Sequence, residues 1–346
     1  MKHILAMRFS AFGDVAMTVP VIREFLEQNP DVRITFSSHH GLAPLFEGID
    51  RVDFSPVDFH GKHRGIPGLI RLHRELMKKG PFNAVVDLHS VIRSHFLRTL
   101  FQARGLSTYK IHKNRDARHA LTRQEDKIKQ PMRSIPERYA DVFREAGFPI
   151  TLSNSLRRIP RTLSPGTLDA VGLPASSQKP WIGIAPFSWY EGKTYPEDQM
   201  FNVVKELAES GECTVILFGG RGEEARKLEA WKETLPATFV AAGKLTLSQE
   251  LDLISHLSVM VSMDSANMHL ASLVGTRAVS VWGATHPFAG FLGYGQSPED
   301  VVSIEMDCRP CSVFGNKPCF KGTYECMKLI PYSSVSRAVK QAAGIL

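Results

Sequence analysis

The chain has 346 residues, of which 43% are hydrophobic and 22% charged, so it is long enough to form two domains with a core each. This composition excludes a disordered chain, a collagen-like chain and a small disulfide-rich scaffold. The formal net charge of +7 favours anionic partners, such as phosphorylated substrates, nucleic acid or an acidic membrane surface. No apolar run reaches the roughly 20 residues of a membrane-spanning helix. Residues 1–20 are expected to be mature protein rather than a signal peptide, because Arg8 and Asp14 interrupt their apolar stretch.

The first half of the chain alternates apolar segments with segments of helical periodicity. Strands are predicted over 2–7, 33–37, 51–54 and 84–88, and helices over 15–28 and 69–79. This alternation indicates βαβ units and a parallel sheet. Residues 151–180 are rich in Pro, Ser, Arg and Thr and have little periodicity, so we expect them to lead from one domain to the next.

The second half restarts the same alternation. Strands are predicted over 181–185, 214–218, 238–241, 259–262 and 278–282, and helices over 196–210, 223–235, 247–256 and 267–274. A last helix over 333–344 could pack on either domain. We therefore expect domains at 1–165 and 181–332, a linker at 166–180 and a C-terminal helix within 333–346.

Loops that follow strands are the expected ligand sites, because open α/β sheets bind ligands beyond the carboxyl ends of their strands. In the first such loop, residues 10–14, Gly13 allows a tight turn, and helix amides there would favour an anion. Asp14 opens the following helix, so it is either an N-cap or a general base at the mouth of a cleft. The G-x-G-x-x-G fingerprint of dinucleotide binding is absent from this loop.

Three further loops lie in the second half. Lys193 could offset the charge of a departing diphosphate, or it could be an ordinary solvated lysine. The glycines of loop 219–224 suit nucleotide approach but are common in such turns. In loop 263–269, Asp264 and Ser265 lie at the start of a predicted helix. The amides of that helix could bind phosphate, or the side chains of Asp264 and Ser265 could cap it. His269 lies one turn later and could either contact a ligand or be a structural residue. All four loops would face one cleft if the two sheets point their carboxyl ends at each other.

The cysteines raise the question of a metal. Cys213 lies in an apolar run and is expected in the core, whereas the other four cluster at Cys308, Cys311, Cys319 and Cys326. In a reducing cytoplasm, the default for a chain without a signal peptide, these four could hold a structural zinc ion tetrahedrally. Unligated thiols and one reversible disulfide are the alternatives. No His, Asp and Glu constellation suggests a catalytic metal.

Basic residues concentrate between Arg93 and Arg138, a segment that contains 12 Lys and Arg residues but only 4 Asp and Glu residues. This segment is either a solvated helical face or a contact to an anionic ligand or to the inner leaflet of a membrane. Nucleic acid is not an expected partner, because no basic platform interleaved with aromatic residues and no known nucleic-acid motif is present.

Three motifs together resemble glycosyltransferase family 9, the ADP-heptose:lipopolysaccharide heptosyltransferases. They are Ser10-x-x-Gly13-Asp14, Lys193 before the Tyr-Pro pair, and Asp264-Ser265-x-x-x-His269 followed by the Trp-Gly-Ala-Thr-His-Pro of residues 282–287. The resemblance covers nearly the whole chain. It implies the α/β GT-B architecture, in which two facing Rossmann-like parallel-sheet domains enclose a cleft. The first domain would bind the acceptor and the second the nucleotide sugar.

The resemblance further implies an inverting transfer of a heptose or related sugar from an ADP-sugar to a lipopolysaccharide-core or lipid-linked sugar acceptor. The enzyme would be cytoplasmic, peripheral on the inner face of the membrane. Asp14 matches the catalytic base and Lys193 the lysine at the donor. Trp189 departs from a position that often carries a small hydroxyl residue. The matched donor-binding positions are Ser10, Gly13, Ser188, Trp189, Glu223 (or Glu224), Asp264, Ser265, Ala266 and His269.

Two other functions compete with this interpretation. A nucleotide-sugar epimerase can have the same architecture but needs no separate acceptor. A non-catalytic nucleotide-sugar-binding protein would have a degenerate site, against which the presence of Asp14, Lys193, Asp264 and His269 argues. For the transferase we expect no obligatory catalytic metal and no other cofactor, since Lys193, His269 and helix amides could take the metal's place at the diphosphate.

Overall fold

The computed structural model describes residues 1–174 and 178–346, which pack as two compact units. Unit 1 comprises Met1–Asn114 and Arg133–Ser153, and unit 2 comprises Arg115–Met132 and Asn154–Leu346. Each unit has one parallel sheet with helices, which confirms the predicted α/β class with two parallel-sheet domains. Among the described residues, no helix is both long enough and apolar enough to cross a membrane.

Unit 1 is built on a five-stranded parallel sheet of order β3-β2-β1-β4-β5. Its strands are β1 (Lys2–Met7), β2 (Val32–His39), β3 (Val52–Val57), β4 (Ala84–Asp87) and β5 (Thr108–Lys110). With labels numbered along the whole chain, its helices are α1 (Phe12–Ala16), α2 (Thr18–Gln28), α3 (Gly65–Lys79), α4 (Ile92–Gln102) and α6 (Ile135–Glu145); a 3₁₀ helix spans His40–Phe46.

The helix predicted over 15–28 is two helices, and this prediction was therefore wrong in its extent. Helix α1 starts three residues earlier and ends at Ala16, and α2 begins at Thr18. The buried Thr18 hydroxyl donates to the carbonyl of Val15 at 2.7 Å. Pro20, the third residue of α2, has no N–H to donate to the carbonyl of Ala16, so the helical ladder is interrupted at this point.

Unit 2 is built on a six-stranded parallel sheet of order β11-β10-β9-β6-β7-β8. Its strands are β6 (Trp181–Ala185), β7 (Thr214–Leu217), β8 (Thr238–Val240), β9 (Val259–Met263), β10 (Arg277–Val281) and β11 (Val301–Val302). Its helices are α5 (Arg115–Thr122), α7 (Pro165–Val171), α8 (Glu197–Glu209), α9 (Glu223–Thr234), α10 (Leu247–Ser255), α11 (Ala266–Val274), α12 (Glu325–Lys328) and α13 (Tyr332–Ala343); 3₁₀ helices span Glu191–Lys193, Pro287–Ala289 and Pro298–Asp300.

Both sheets have a topological switch point, where the strand order reverses. In unit 1 the chain runs from β1 outward through β2 and β3 and then returns to pair β4 with the other side of β1. In unit 2 it runs from β6 through β7 and β8 and returns to pair β9 with β6. The loops that leave β1 and β4, and those that leave β6 and β9, therefore diverge and open a crevice for a ligand.

The units differ from the predicted domains, because residues 115–132 and 154–165 belong to unit 2 rather than to unit 1. Lys127 Nζ donates to the carbonyls of Cys308 and Pro310, both at 2.7 Å. The amide of Met132 donates to the carbonyl of Phe288 at 2.8 Å. The sequence predicts that the whole basic segment 93–138 lies in the first domain. In the structure this segment is divided between the two units.

The segment predicted as a linker, 166–180, contains most of helix α7. Ser164 caps its N-terminus by accepting a hydrogen bond from the amide of Thr167 at 3.2 Å, and Gly172 ends it in the left-handed region. Residues 175–177 of the predicted linker lie outside the described residues. The C-terminal helix α13 packs on unit 2, where Val335 and Val339 join the core and Lys340 Nζ lies 3.0 Å from Glu206 Oε1.

The left-handed C-cap glycine Gly275 is predicted to be essential to unit 2. At Gly275 φ is +79°, and an added Cβ would overlap the backbone of Arg157 and Arg158. Gly172 is a matched C-cap with φ of +78° and open space around it. Gly172→Ala should cost about 1 kcal/mol through backbone strain alone. Gly275→Ala should cost several times as much, measured as the shift of the urea-unfolding midpoint. Equal shifts would contradict the packing described here.

Candidate functional site

An ion pair lies at the switch point of the unit 2 sheet. Lys193 ends the 3₁₀ helix that follows β6, and Asp264 comes directly after β9. Lys193 Nζ lies 3.0 Å from Asp264 Oδ2, and the two side chains are 16% and 4% exposed. A buried carboxylate without a compensating partner is costly, and Lys193 is the charged partner of Asp264. The ammonium has three donors, so it can hold Asp264 and still offer hydrogen bonds to an anion.

The start of helix α11 adjoins this pair. Ser265 is its N-cap residue by position, but its hydroxyl pairs with that of Ser262 at 3.0 Å. Within the described part of the chain, the Ser265 side chain accepts no hydrogen bond from the helix amides, and the alternative of a side-chain cap is thus wrong for this residue. The amides that begin at Ala266 are thereby left for an anion. His269 lies one turn later and is buried.

The remaining predicted donor residues of unit 2 lie in two other loops. Ser188 is half-buried and its carbonyl accepts a hydrogen bond from the Thr194 hydroxyl at 3.3 Å. Trp189 is 91% exposed. Glu223 is largely exposed at the start of α9, whereas Glu224 Oε2 accepts a hydrogen bond from the amide of Gly220 at 2.6 Å. The structure thus brings Lys193 and Asp264 into direct contact but leaves Trp189 and Glu223 directed to solvent.

A second ion pair lies at the switch point of unit 1. Arg8 follows β1, and its guanidinium contacts Asp14 Oδ2 at 2.5 Å and donates to the carbonyl of Leu88 at 2.6 Å. Asp14 is the third residue of α1, whose N-cap is Ala11, and the N-cap interpretation of Asp14 is therefore wrong. Here the carboxylate is the more exposed partner, at 22% against 10% for Arg8.

The other predicted residues of this loop flank Asp14 in sequence. Ser10 is exposed, and Gly13 lies within the first turn of α1, where its carbonyl accepts a hydrogen bond from the amide of Met17 at 3.0 Å. Among the described residues, no hydrogen bond joins Ser10 to Arg8 or Asp14.

A neutral histidine adjoins the Arg8–Asp14 pair. His89 follows β4, and its ring packs edge-on against Phe9 with centroids 5.9 Å apart. Burial, together with the positive charge of Arg8, lowers the pKa of His89 to about 3. Below it, the fully buried Asp87 accepts hydrogen bonds from the amides of His89 and Ser90 and contacts Arg98 Nε at 3.0 Å. These contacts fix the loop that leaves β4.

The four clustered cysteines line one small pocket in unit 2 together with Arg309. All five cysteines of the chain are free thiols. In the two described ranges, no three His, Cys, Asp or Glu side chains are grouped closely enough to hold a metal ion. The predicted set of Cys308, Cys311, Cys319 and Cys326 therefore converges on a pocket without forming a ready tetrahedral site.

Two structural features that hold the candidate residues in place were not predicted from the sequence. Arg8 holds Asp14, and the signal available was a charged residue directly after a buried strand. The segment around Gly315 packs on the side chain of Lys193, and no pattern in the sequence links residues so far apart.

Comparisons with known proteins agree with this architecture. The family model described as glycosyltransferase family 9 (heptosyltransferase) matches residues 69–318. Lipooligosaccharide heptosyltransferase 2 of Haemophilus influenzae is 32% identical over 117 residues, which are 32% of this chain and 33% of that protein. The matched region thus spans about a third of the length of the curated relatives.

Two solved structures share the fold. The glycosyl transferase family 9 protein from Veillonella parvula is 18% identical, with 99% of this chain and 97% of that chain covered and a TM-score of 0.78. The E. coli heptosyltransferase WaaC with ADP-2-deoxy-2-fluoro heptose is 18% identical, with 98% of each chain covered and a TM-score of 0.64.

The half-buried His89 predicts a pH dependence of stability. Its pKa is about 3 in the folded chain and about 6.5 when unfolded, so only the unfolded chain takes up this proton as the pH falls below 6.5. The folded state should therefore lose stability from pH 6.5 downward, by about 2 kcal/mol at pH 5 from His89 alone. His89→Gln should remove this component of the pH profile, as measured by urea unfolding at pH 7.5 and pH 5. The exposed His60→Gln is the control, and parallel profiles for wild type and His89→Gln would contradict the prediction.

Proposed function

Because the chain belongs to glycosyltransferase family 9 (heptosyltransferase), we propose that it transfers a heptose or related sugar from an ADP-sugar to a lipopolysaccharide-core or lipid-linked sugar acceptor with inversion. The observation that carries this proposal is the Lys193–Asp264 pair at the switch point of unit 2, 3.0 Å apart beside the open start of α11. Such a crevice, with a cation and helix amides, suits a diphosphate.

The donor diphosphate would bind at Lys193 and at the amides that begin at Ala266. One N–H of the ammonium keeps its hydrogen bond to Asp264, and the other two donate to phosphate oxygens. When the bond between the anomeric carbon and the phosphate oxygen breaks, its electrons remain on the diphosphate, and Lys193 and the α11 amides stabilise the added charge. The structurally related WaaC, solved with ADP-2-deoxy-2-fluoro heptose, supports an ADP-sugar as donor. Roles at the donor are proposed for Ser10, Gly13, Ser188, Trp189, Glu223, Asp264, Ser265 and His269.

Asp14 is the proposed general base. Its carboxylate takes the proton of the acceptor hydroxyl while the oxygen of that hydroxyl attacks the anomeric carbon from the face opposite the diphosphate. Arg8 supports this role because it orients the carboxylate through the 2.5 Å contact and leaves Asp14 the more exposed partner. The proposed reaction requires no catalytic metal, because Lys193 and the α11 amides supply the positive potential that a divalent cation would provide.

The acceptor is proposed to be anionic. Unit 1 retains the basic residues from Arg93 to Lys113, and α5 places Arg115 and Arg118 on unit 2. We propose a cytoplasmic enzyme that binds the inner face of the membrane through such residues, with no nucleic-acid partner. Arg118 packs over the ring of Phe314 at 5.3 Å, and Phe314 is 43% exposed, which gives this surface an apolar as well as a cationic component.

A structural zinc ion is proposed for the four clustered cysteines. Their thiols line one pocket and are free, so a metal could draw them into tetrahedral ligation. Mass spectrometry of the purified protein for bound metals tests this. One zinc ion per chain, lost in a Cys308→Ser and Cys311→Ser double variant, is expected, whereas a metal-free protein with the same melting temperature in the presence of a chelator would contradict the proposal.

An epimerase of similar architecture and a non-catalytic nucleotide-sugar-binding protein remain as alternatives to test. An epimerase would consume the ADP-sugar without an acceptor. A transferase consumes it at full rate only when the lipid-linked acceptor is present, and a binding protein does not consume it.

Replacing the proposed base is predicted to separate catalysis from donor binding. Asp14→Asn should lower kcat by about 10²- to 10⁴-fold, the contribution typical of a general base. The ADP dissociation constant should change less than about twofold, because the proposed diphosphate ligands lie in unit 2. The measurements are a coupled assay of ADP release and calorimetric ADP titration, with the exposed Asp31→Asn as the matched control. Loss of ADP affinity in parallel with activity, or full activity, would contradict the role of Asp14.

A further inference from the structure

The segment of residues 308–326, here called the cysteine segment, is fixed to the loop that leaves β10. Arg309 is buried and donates to the carbonyls of Gly283 at 2.5 Å and Trp282 at 3.0 Å, and to that of Ile304. A fully buried guanidinium with several carbonyl partners is a rigid anchor, because any displacement would leave its donors unpaired. The start of the cysteine segment is therefore held at a defined position beyond the sheet.

Ala284 joins the cysteine segment to the loop that carries Lys193. Its carbonyl accepts hydrogen bonds from the amides of Cys311 at 3.0 Å and Ser312 at 3.2 Å, and its amide donates to the carbonyl of Gly192 at 2.9 Å. A Cβ on Gly192 would lie 2.9 Å from Ala284 Cβ and 3.4 Å from the carbonyl oxygen of Gly315. The loop that follows β6, the loop that follows β10 and the cysteine segment are thus closely packed against one another.

Gly315 lies directly on the side chain of Lys193. Its φ is +73°, and the buried Ser312 hydroxyl accepts a hydrogen bond from its amide at 2.9 Å. A Cβ added at Gly315 would overlap Lys193 Cγ and lie 2.5 Å from Lys193 Cδ. The backbone of the cysteine segment therefore covers the aliphatic stem of Lys193, while the ammonium at the other end of the side chain contacts Asp264.

We propose that Gly315 is a positioning residue for Lys193: its lack of a side chain lets the cysteine segment close over the lysine stem and direct the ammonium to Asp264 and the donor diphosphate. This inference rests on the proposed function, because it takes Lys193 as the diphosphate ligand. It adds that Gly315, which lies 122 positions after Lys193 in the sequence, determines where the Lys193 ammonium lies. A long flexible lysine stem loses rotamer freedom when covered in this way, so less remains to be lost when the diphosphate binds.

The test is calorimetric titration of the full-length protein with ADP in wild type, Gly315→Ala, Lys193→Ala and the double variant. Gly315→Ala should weaken ADP binding about tenfold, because the new methyl group displaces the lysine stem. Gly322→Ala is the matched control, since Gly322 has φ of +72° in the same segment but nothing within 4 Å of its Cβ position. This control should bind ADP as wild type does.

Lys193→Ala removes Cγ and Cδ and with them the overlap. In that background, Gly315→Ala should cause no further loss of ADP affinity. Lys193→Ala itself lowers the melting temperature, because it leaves the buried Asp264 unpaired. Relative to Lys193→Ala, the further drop in melting temperature caused by Gly315→Ala should shrink to the drop that Gly322→Ala causes in the wild type. The melting temperature gives the same coupling if ADP binding becomes too weak to titrate. Equal effects of the two glycine variants, or additive effects of Gly315→Ala and Lys193→Ala, would overturn the inference. Unchanged ADP affinity in Lys193→Ala would instead contradict the proposed function.

Discussion

The contact between Lys193 Nζ and Asp264 Oδ2 is the interaction on which the donor side of this account depends. Asp264 is almost fully buried, and an unpaired buried carboxylate is costly, so a cation at this place stabilises the folded chain. The strand order supplies it, because the loops that leave β6 and β9 diverge at the switch point and bring the two residues together. A constraint of folding thereby places a positive charge beside the first amides of α11, where a diphosphate is best stabilised.

A similar ion pair lies at the switch point of unit 1, but there the more buried partner is the cation rather than the carboxylate. There the cation, Arg8, is the less exposed partner, at 10%, and the carboxylate of Asp14 is more exposed, at 22%. In unit 2 the lysine is more exposed, at 16%, and the aspartate less, at 4%. In each pair the buried partner holds the accessible one in place. The accessible groups are a carboxylate in unit 1 and an ammonium in unit 2, and these are the two charges that a proton-abstracting glycosyl transfer needs.

The sequence predicted those features that depend on local pattern. Alternating apolar strands and amphipathic helices gave the class of fold, and residues after buried strands led to Asp14, Lys193 and Asp264. The break before Thr18 was misjudged, because Pro20 removes the hydrogen bond to the carbonyl of Ala16. The short helix α7 was missed, because it is defined by its Ser164 cap rather than by periodicity. Contacts between residues far apart in the sequence could not be predicted, because no local pattern shows that Lys127 donates a hydrogen bond to the cysteine segment or that Gly315 covers Lys193. Motif spacing predicted the candidate residues, whereas the side chains that hold them in place became visible only in the three-dimensional structure.

A crystal structure of this chain with ADP bound tests the central claim most directly. Diphosphate oxygens are expected about 3 Å from Lys193 Nζ and from the first amides of α11, as in charge-assisted hydrogen bonds, with the contact between Lys193 and Asp264 retained. A diphosphate bound away from Lys193, or a lysine that has left Asp264 and points to solvent, would contradict that claim.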